Sequence, residues 1–184
     1  MAEFKTLVDL FERTVENYPN NPLFGTKKGG EYKWTTYQQF GEKVEAFRGT
    51  LAKLGIEEGE TVGVISDNRV EWAVGAHATY QRGAKYCPMY EAQLAKDWKY
   101  IIDDSNTKIL LVADREIYDE VKPFIDELDD LERVIYFDGD EHHGDYFDNL
   151  LEDGRAEDVE AVHPDPEDLA TFIYTSGTTG RPKG

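Results

Sequence analysis

Strand-like and helix-like hydrophobic patterns alternate along nearly the whole chain of 184 residues. The apolar runs at 61–66 and 109–113 are short and continuous, which is typical of strands that are buried on both faces. Segments such as 70–81 lie between them and repeat apolar residues at helical spacing. Strands separated by helices need right-handed crossovers, which place the strands side by side in a parallel sheet with helices on both faces. The sequence therefore predicts an α/β fold with a mainly parallel sheet.

Cap and turn residues set the bounds of the other elements. Thr6, with Asp9 three residues later, predicts the start of a first helix, and Thr36 predicts the start of a longer helix that Gly55 ends. The pattern around Gly29 and Gly30 predicts a hairpin. The remaining predicted elements are a strand at 85–87, a helix at 94–103, a helix at 116–127, a strand at 134–137, a helix at 146–151 and a last strand at 169–174.

Acidic side chains are concentrated in one stretch. Residues 103–168 carry 24 acidic and 5 basic residues, whereas the rest of the chain carries 14 and 15. An acidic face repels nucleic acid, so we expect no nucleic-acid partner. No apolar run approaches the ~20 residues of a membrane span, no signal-peptide core is present, and the single cysteine, Cys87, excludes an intramolecular disulfide. We therefore predict a cytoplasmic chain with no transmembrane segment, and peripheral membrane contact stays open.

The residues at 174–184 form a loop in which every polar side chain can donate to an anion. Glycines let a backbone approach a bulky anion closely, and successive N–H groups in such a loop can turn inward as an anion nest. The candidate ligands of a polyphosphate are Thr175, Ser176, Gly177, Thr178, Thr179, Gly180 and Lys183. Lys183 adds a compact positive charge with three donors. Because ligands of parallel sheets bind beyond the carboxyl ends of the strands, the preceding strand at 169–174 should deliver this loop to that edge.

Two other interpretations of the loop fit less well. A Walker loop needs Gly and a hydroxyl on either side of its lysine, but Pro182 and Gly184 occupy those positions. A flexible glycine-serine linker does not need a lysine among otherwise uncharged candidate ligands behind an apolar strand.

The segment 138–145 contains residue types that can bind a metal ion, but their order does not fit a calcium-binding loop. His142 and His143 stand where a calcium loop needs an oxygen ligand and a glycine. We interpret this segment as a solvated acidic turn and assign no metal-ligating residue. His77 lies among apolar neighbours on a predicted helix, which favours a packing role.

The loop resembles the phosphate-binding signature of the AMP-forming acyl-adenylate synthetases. The pattern Y-T-S-G-T-T-G-x-P-K-G is matched throughout by residues 174–184, with Arg181 at the free position. The upstream segments 34–37, 55–62 and 83–90 resemble other family elements less tightly. Residues 66–72, Ser-Asp-Asn-Arg-Val-Glu-Trp, are similar to the S-E-N-R-P-E-W stretch of long-chain acyl-CoA synthetases.

This resemblance implies an ATP-dependent ligase that activates a carboxylic acid as an acyl-adenylate and transfers it to coenzyme A. The similarity at residues 66–72 favours a long-chain fatty acid as that carboxylic acid. The family resemblance implies ATP, Mg²⁺ and coenzyme A as cofactors. It also places the loop on the β- and γ-phosphates, with Lys183 as the candidate catalytic residue that neutralises charge. Residues 1–184 then correspond to part of the N-terminal AMP-binding domain, ending just after the phosphate-binding loop. The family's adenine, ribose and C-terminal lysine elements fall after Gly184, so we expect that these residues alone form no acyl-adenylate. The alternatives are an aryl-adenylating, amino-acid-adenylating or luciferase-like enzyme, or a non-catalytic phosphate-binding module.

Overall fold

The computed structural model describes residues 4–175 and 181–184. Their secondary structure follows the predicted alternation closely. In chain order the elements are α1 (Leu7–Asn17), β1 (Pro22–Lys28), β2 (Glu31–Thr36), α2 (Tyr37–Lys53), β3 (Thr61–Ile65), α3 (Val70–Tyr80), β4 (Lys85–Met89), α4 (Ala95–Asp104), β5 (Thr107–Asp114), α5 (Arg115–Val121), a 3-10 helix (Lys122–Asp126), β6 (Arg133–Asp138) and α6 (Phe147–Gly154).

The predicted helix starts are confirmed. The Thr6 side chain accepts a hydrogen bond from the backbone N–H of Asp9, and the Asp9 carboxylate accepts one from the backbone N–H of Thr6. Thr36 and Gln39 make the same reciprocal pair at the start of α2. Each pair satisfies N–H groups that have no partner within the helix, which is why these residues fix the boundaries.

The sheet is parallel with the strand order β4-β3-β5-β6, and β1 and β2 form a separate antiparallel hairpin. All five residues of β3 are buried, because helices cover both of its faces. Val62 and Val64 belong to a core cluster that includes residues of α1, α2, α3 and α6, and Ile65 belongs to a second cluster that includes residues of α4 and α5. This confirms the predicted α/β architecture.

One predicted helix is divided in the structure. The segment at 116–127 was expected to be a single helix, but α5 ends at Val121 and a 3-10 helix follows. Pro123 explains the break, since its ring clashes with the carbonyl four residues earlier and it has no N–H to donate.

The last predicted strand is reduced to a single bridge. Only Thr171 pairs with the sheet, in parallel with Tyr86 of β4: the Tyr86 N–H donates to the Ala170 oxygen at 2.9 Å and the Phe172 N–H to the Tyr86 oxygen at 3.0 Å. The next donor in a parallel ladder lies two residues after Tyr86, and that residue is Pro88, which has no N–H. The expectation of a strand over 169–174 is therefore wrong in length, although the segment runs in the predicted direction beside β4.

The acidic turn at 138–145 is only partly solvated. Asp145 is buried and accepts hydrogen bonds from Tyr118 at 2.6 Å, Arg133 at 2.9 Å and Lys122 at 3.2 Å. Burial alone would raise the pKa of this carboxyl, but the three donors outweigh it and lower the pKa. The prediction of a solvated turn is thus wrong for Asp145, which acts as a structural hub. No cluster of histidine, cysteine or acidic residues within the described ranges could hold a metal ion.

Candidate phosphate-binding loop

The two ends of the predicted loop are held together. Thr175 and Lys183 form an antiparallel bridge in which each backbone N–H donates to the other residue's oxygen at 3.0 Å. This pair brings two of the predicted ligand residues side by side and fixes where the loop leaves and re-enters the fold. The other predicted ligands, Ser176, Gly177, Thr178, Thr179 and Gly180, lie outside the described residues.

The loop starts at the carboxyl edge of the sheet. Residues 170–172 run parallel to β4, so the chain reaches Thr175 on the edge where β3, β4, β5 and β6 all end. Lys183 is exposed there, and among residues 4–175 and 181–184 no carboxylate forms an ion pair with its ammonium group. A lysine placed in this way keeps its charge available for an anionic ligand.

Tyr174 anchors the first end of the loop to α4. Its hydroxyl donates a hydrogen bond to Asp104 Oδ2 at 2.7 Å, and the Tyr100 hydroxyl donates to Oδ1 of the same carboxylate at 3.3 Å. Burial, and then the hydrogen bond to Asp104, raise the pKa of the Tyr174 hydroxyl, so this group stays protonated and continues to donate. The base of the loop is thereby tied to the last residue of α4.

Arg181 and Gly184 anchor the second end of the loop. The Arg181 guanidinium lies 5.2 Å from the centre of the Tyr100 ring, a cation–π distance. Gly184 packs on the Tyr174 ring so closely that a Cβ atom at this position would lie 2.7 Å from the ring. Both ends of the loop are therefore held at one cluster, formed by Tyr100, Asp104 and Tyr174.

Sequence reasoning missed Tyr100 and Asp104. Their spacing of four residues on α4 puts them on one helical face, but that pattern is ordinary for a helix. Asp104 and Tyr174 are 70 residues apart, and only the fold brings them together.

Two other residues singled out in the sequence have packing roles. His77 packs against Phe11, with ring centres 4.6 Å apart, and burial lowers its pKa from 6.5 to about 4. Cys87 is buried in the sheet, and burial raises the pKa of its thiol to about 11. A neutral imidazole and a protonated thiol in these settings are poor candidates for acid–base or nucleophilic chemistry.

Comparison with known proteins agrees with this geometry. The family described as AMP-binding enzyme matches residues 11–184. The chain belongs to this family. It is 29% identical over 192 residues to long chain acyl-CoA synthetase 4 of Arabidopsis thaliana, a match that covers 96% of the chain and 29% of that relative. It is 25% identical to long-chain-fatty-acid–CoA ligase 1 of Cavia porcellus, covering 99% of the chain and 28% of the ligase. The chain thus spans less than a third of the length of these relatives.

Solved structures of the family share the fold. An anthranilate CoA ligase in complex with anthranoyl-AMP superposes with a TM-score of 0.83 at 24% identity, over 95% of the chain and 33% of that protein. A long-chain-fatty-acid-CoA ligase from Archaeoglobus fulgidus gives a TM-score of 0.79 at 23% identity, over 100% of the chain and 36% of the ligase. At these identities the likeness establishes the architecture, and the substrate is argued separately below. None of the described helices is long and apolar enough to cross a bilayer.

Proposed function

We propose that this chain provides the polyphosphate-binding part of an ATP-dependent, AMP-forming ligase that activates a long-chain fatty acid and transfers it to coenzyme A. One observation carries the proposal: the antiparallel pair of Thr175 and Lys183 closes a loop of donors at the carboxyl edge of a parallel sheet. Family membership supports the adenylating chemistry, and the names of the similar proteins support a fatty acid as the substrate class.

The proposed reaction divides the work of the loop into binding and charge stabilisation. The carboxylate of the acid attacks the α-phosphorus of ATP, pyrophosphate leaves, and an acyl-adenylate remains. The Thr175 hydroxyl, together with the N–H and hydroxyl groups of Ser176, Thr178 and Thr179, would bind the β- and γ-phosphate oxygens, and Gly177 and Gly180 would let the backbone approach. The Lys183 ammonium would neutralise the charge that develops on the departing pyrophosphate.

The loop suits the phosphates better than it suits a metal. Residues 174–184 contain no carboxylate, and Mg²⁺ prefers carboxylate, phosphate and water oxygens. Mg²⁺ would therefore reach this part of the site on the phosphates, and we assign it no protein ligand here. Coenzyme A is likewise expected from the reaction class, without residues assigned to it.

The proposal also covers location. We infer a location in a reducing compartment such as the cytoplasm, because Cys87 is free and buried. One similar protein, 30% identical over 198 residues, is named a peroxisomal long chain acyl-CoA synthetase of Arabidopsis thaliana, so fractionation of cells is the direct check.

Binding of MgATP to the chain tests the role of the loop. Lys183→Ala removes a charged hydrogen bond worth about 1.5–3 kcal/mol, so the dissociation constant measured by titration calorimetry should rise about tenfold to a hundredfold. Lys96→Ala, at an exposed lysine on α4, is the matched control and should bind as the parent does. Equal affinities of the parent and Lys183→Ala would remove Lys183 from the site.

Carboxylate-dependent exchange of pyrophosphate with ATP tests the reaction class. In an active protein that contains these residues, Lys183→Ala should slow exchange by about 10²–10³-fold, the usual effect of losing one electrostatic stabiliser. A panel of fatty, aromatic and amino acids identifies the acid: preference for an aryl or amino acid would replace the fatty-acyl assignment. Exchange by the 184-residue chain itself would contradict the expectation that further residues are needed.

A further inference from the structure

A polar cavity lies away from the loop, between the β1–β2 hairpin and the start of α3. It has a volume of about 510 Å³, within the usual range of ligand-binding pockets. Thr26, Lys28, Lys33 and Thr35 line it from the hairpin, and Lys43 lines it from α2. None of its lining residues belongs to 174–184 or to α4, so it is separate from the candidate phosphate loop.

Three lysines in this cavity have no ion-pair partner within the described part of the chain. Lys28, Lys33 and Lys43 each lack a carboxylate within ion-pairing distance. The strand register places Lys33 opposite Thr26 and Lys28 opposite Glu31, so the two hairpin lysines are diagonal neighbours on one face. Glu31 is exposed and forms no ion pair with Lys28. Three lysines that form no ion pair within the described residues thus line one cavity, although acidic residues outnumber basic ones 38 to 20 in the whole chain.

The acidic residues of the same cavity are already partly neutralised. Arg69 donates to both carboxylate oxygens of Asp138, at 2.8 and 3.0 Å, and to Glu71 at 2.8 Å. Asp138 is exposed, and the Arg69 hydrogen bond, together with the charges of Arg69 and Lys28, lowers its pKa in spite of partial desolvation. Asp67 is the remaining carboxylate in the lining. The cavity therefore presents more positive than negative charge to a ligand.

We propose that this cavity binds a phosphate group that carries two or more negative charges. Three ammonium groups supply nine donors, and the hydroxyls of Thr26 and Thr35 add two more. Ammonium groups bind phosphate as point charges and need no fixed geometry. A polyanion between Lys28, Lys33 and Lys43 also relieves the repulsion between them.

The phosphate can belong to a soluble molecule or to a lipid headgroup. The side chains on the opposite face of the hairpin help to distinguish these two sources. Tyr32 and Trp34 are stacked there with ring centres 6.1 Å apart, and they are 61% and 60% exposed. Tyrosine and tryptophan favour the headgroup layer of a bilayer, where basic residues add about 1 kcal/mol each against anionic lipid. The soluble source needs the lysines alone, whereas the lipid source also engages the aromatic pair.

The test uses Lys183→Ala as the background, because this substitution weakens the proposed loop site and so makes binding at the cavity easier to resolve. Titration with inorganic pyrophosphate should still show binding that weakens with added salt. Replacing Lys28, Lys33 and Lys43 together by Gln should weaken that binding at least tenfold. Lys27→Gln is the matched control, since Lys27 lies opposite Tyr32 on the other face of the same hairpin. Unchanged melting curves show that the variants fold.

Co-sedimentation with vesicles decides the source. Phosphatidylcholine vesicles with and without phosphatidic acid are the two probes, and Tyr32→Ser with Trp34→Ser is the added variant. Loss of phosphatidic acid binding in both the lysine and aromatic variants identifies a lipid headgroup, and pyrophosphate binding without vesicle binding identifies a soluble phosphate.

Three results overturn the proposal: no binding of either probe, equal binding by the triple variant, or an equal loss in Lys27→Gln. The triple lysine variant in which Lys183 is intact should still bind MgATP at the loop. Failure of the cavity proposal can therefore be distinguished from failure of the proposed function.

Discussion

The close crossing of α2 and α6 gives a sharp prediction for Gly154→Ala. A Cβ atom at Gly154 would lie 2.0 Å from the Ala46 carbonyl oxygen and 2.3 Å from Thr50 Oγ1, whereas ordinary contact begins near 3.4 Å. The helices would have to separate by roughly the 1.4 Å difference, since a backbone oxygen cannot move aside as a side chain can.

The separation has two costs. Overpacking a core typically costs about 1–3 kcal/mol. The hydrogen bond that Thr50 donates to the Leu150 oxygen, 2.5 Å long and buried, would stretch beyond bonding distance, which costs about 1–3 kcal/mol more. The better helix propensity of alanine offsets up to about 1 kcal/mol. The net loss of unfolding free energy is therefore about 3 kcal/mol, a fall in Tm of about 6–12 °C for a domain of this size.

Thermal unfolding followed by circular dichroism measures this change. Gly144→Ala is the matched control, because a Cβ there meets nothing within 4 Å and no unusual backbone angle is required. Its Tm should equal or slightly exceed that of the parent. A Gly154→Ala protein that melts within about 2 °C of the parent would refute the argument, since the helices would then have yielded without cost.

Three further predictions concern the loop anchor and two buried groups. Tyr174→Phe removes the hydrogen bond to Asp104 that holds the first end of the loop. The affinity for MgATP should therefore fall several-fold in titration calorimetry, while Tm changes by only a few degrees. Unchanged affinity would show that the anchor does not position the loop. The pKa of His77 falls from 6.5 in the unfolded chain to about 4 in the fold, so the unfolded state binds more protons in this window and stability should drop by up to about 3 kcal/mol as pH falls from 6.5 to 4. Urea unfolding across that range measures the drop, and His77→Phe should flatten it; an equally steep slope in the variant would assign the effect to other groups. The buried Cys87 thiol, with a pKa of about 11, should resist a thiol reagent near pH 8 until the protein is unfolded, and rapid labelling of the native chain would contradict its burial.

Local signals predicted most of the secondary structure. The Thr6 and Thr36 caps set the helix starts because their hydrogen bonds join residues three apart. The break at Pro123 was equally local and was missed because the apolar pattern continued through it. The short pairing at Thr171 depends on Pro88 of another strand, so it could not be found before the strand order was known.

The candidate sites were also predicted from the sequence only in part. The composition of the loop, including Lys183, predicts an anion site, because the ability to donate to an anion follows from residue type. The sequence did not indicate the roles of Asp104 and Tyr100, because neither residue type nor spacing predicts a contact such as that between Asp104 and Tyr174, which are 70 residues apart. The lysine-lined cavity could not be predicted from the sequence either, since Lys43 lies on a different element from Lys28 and Lys33.

The sequence by itself determined the alternation of strands and helices, the helix caps and the chemistry of the terminal loop. Each of these depends on residues within a few positions of one another, where steric preference and hydrogen bonding act without help from the rest of the chain. Tertiary structure alone decided how the loop is closed and anchored, how closely α2 and α6 approach, and which lysines share a cavity. Those are distances between remote residues, and they are fixed only when the sheet and its two helical layers pack together.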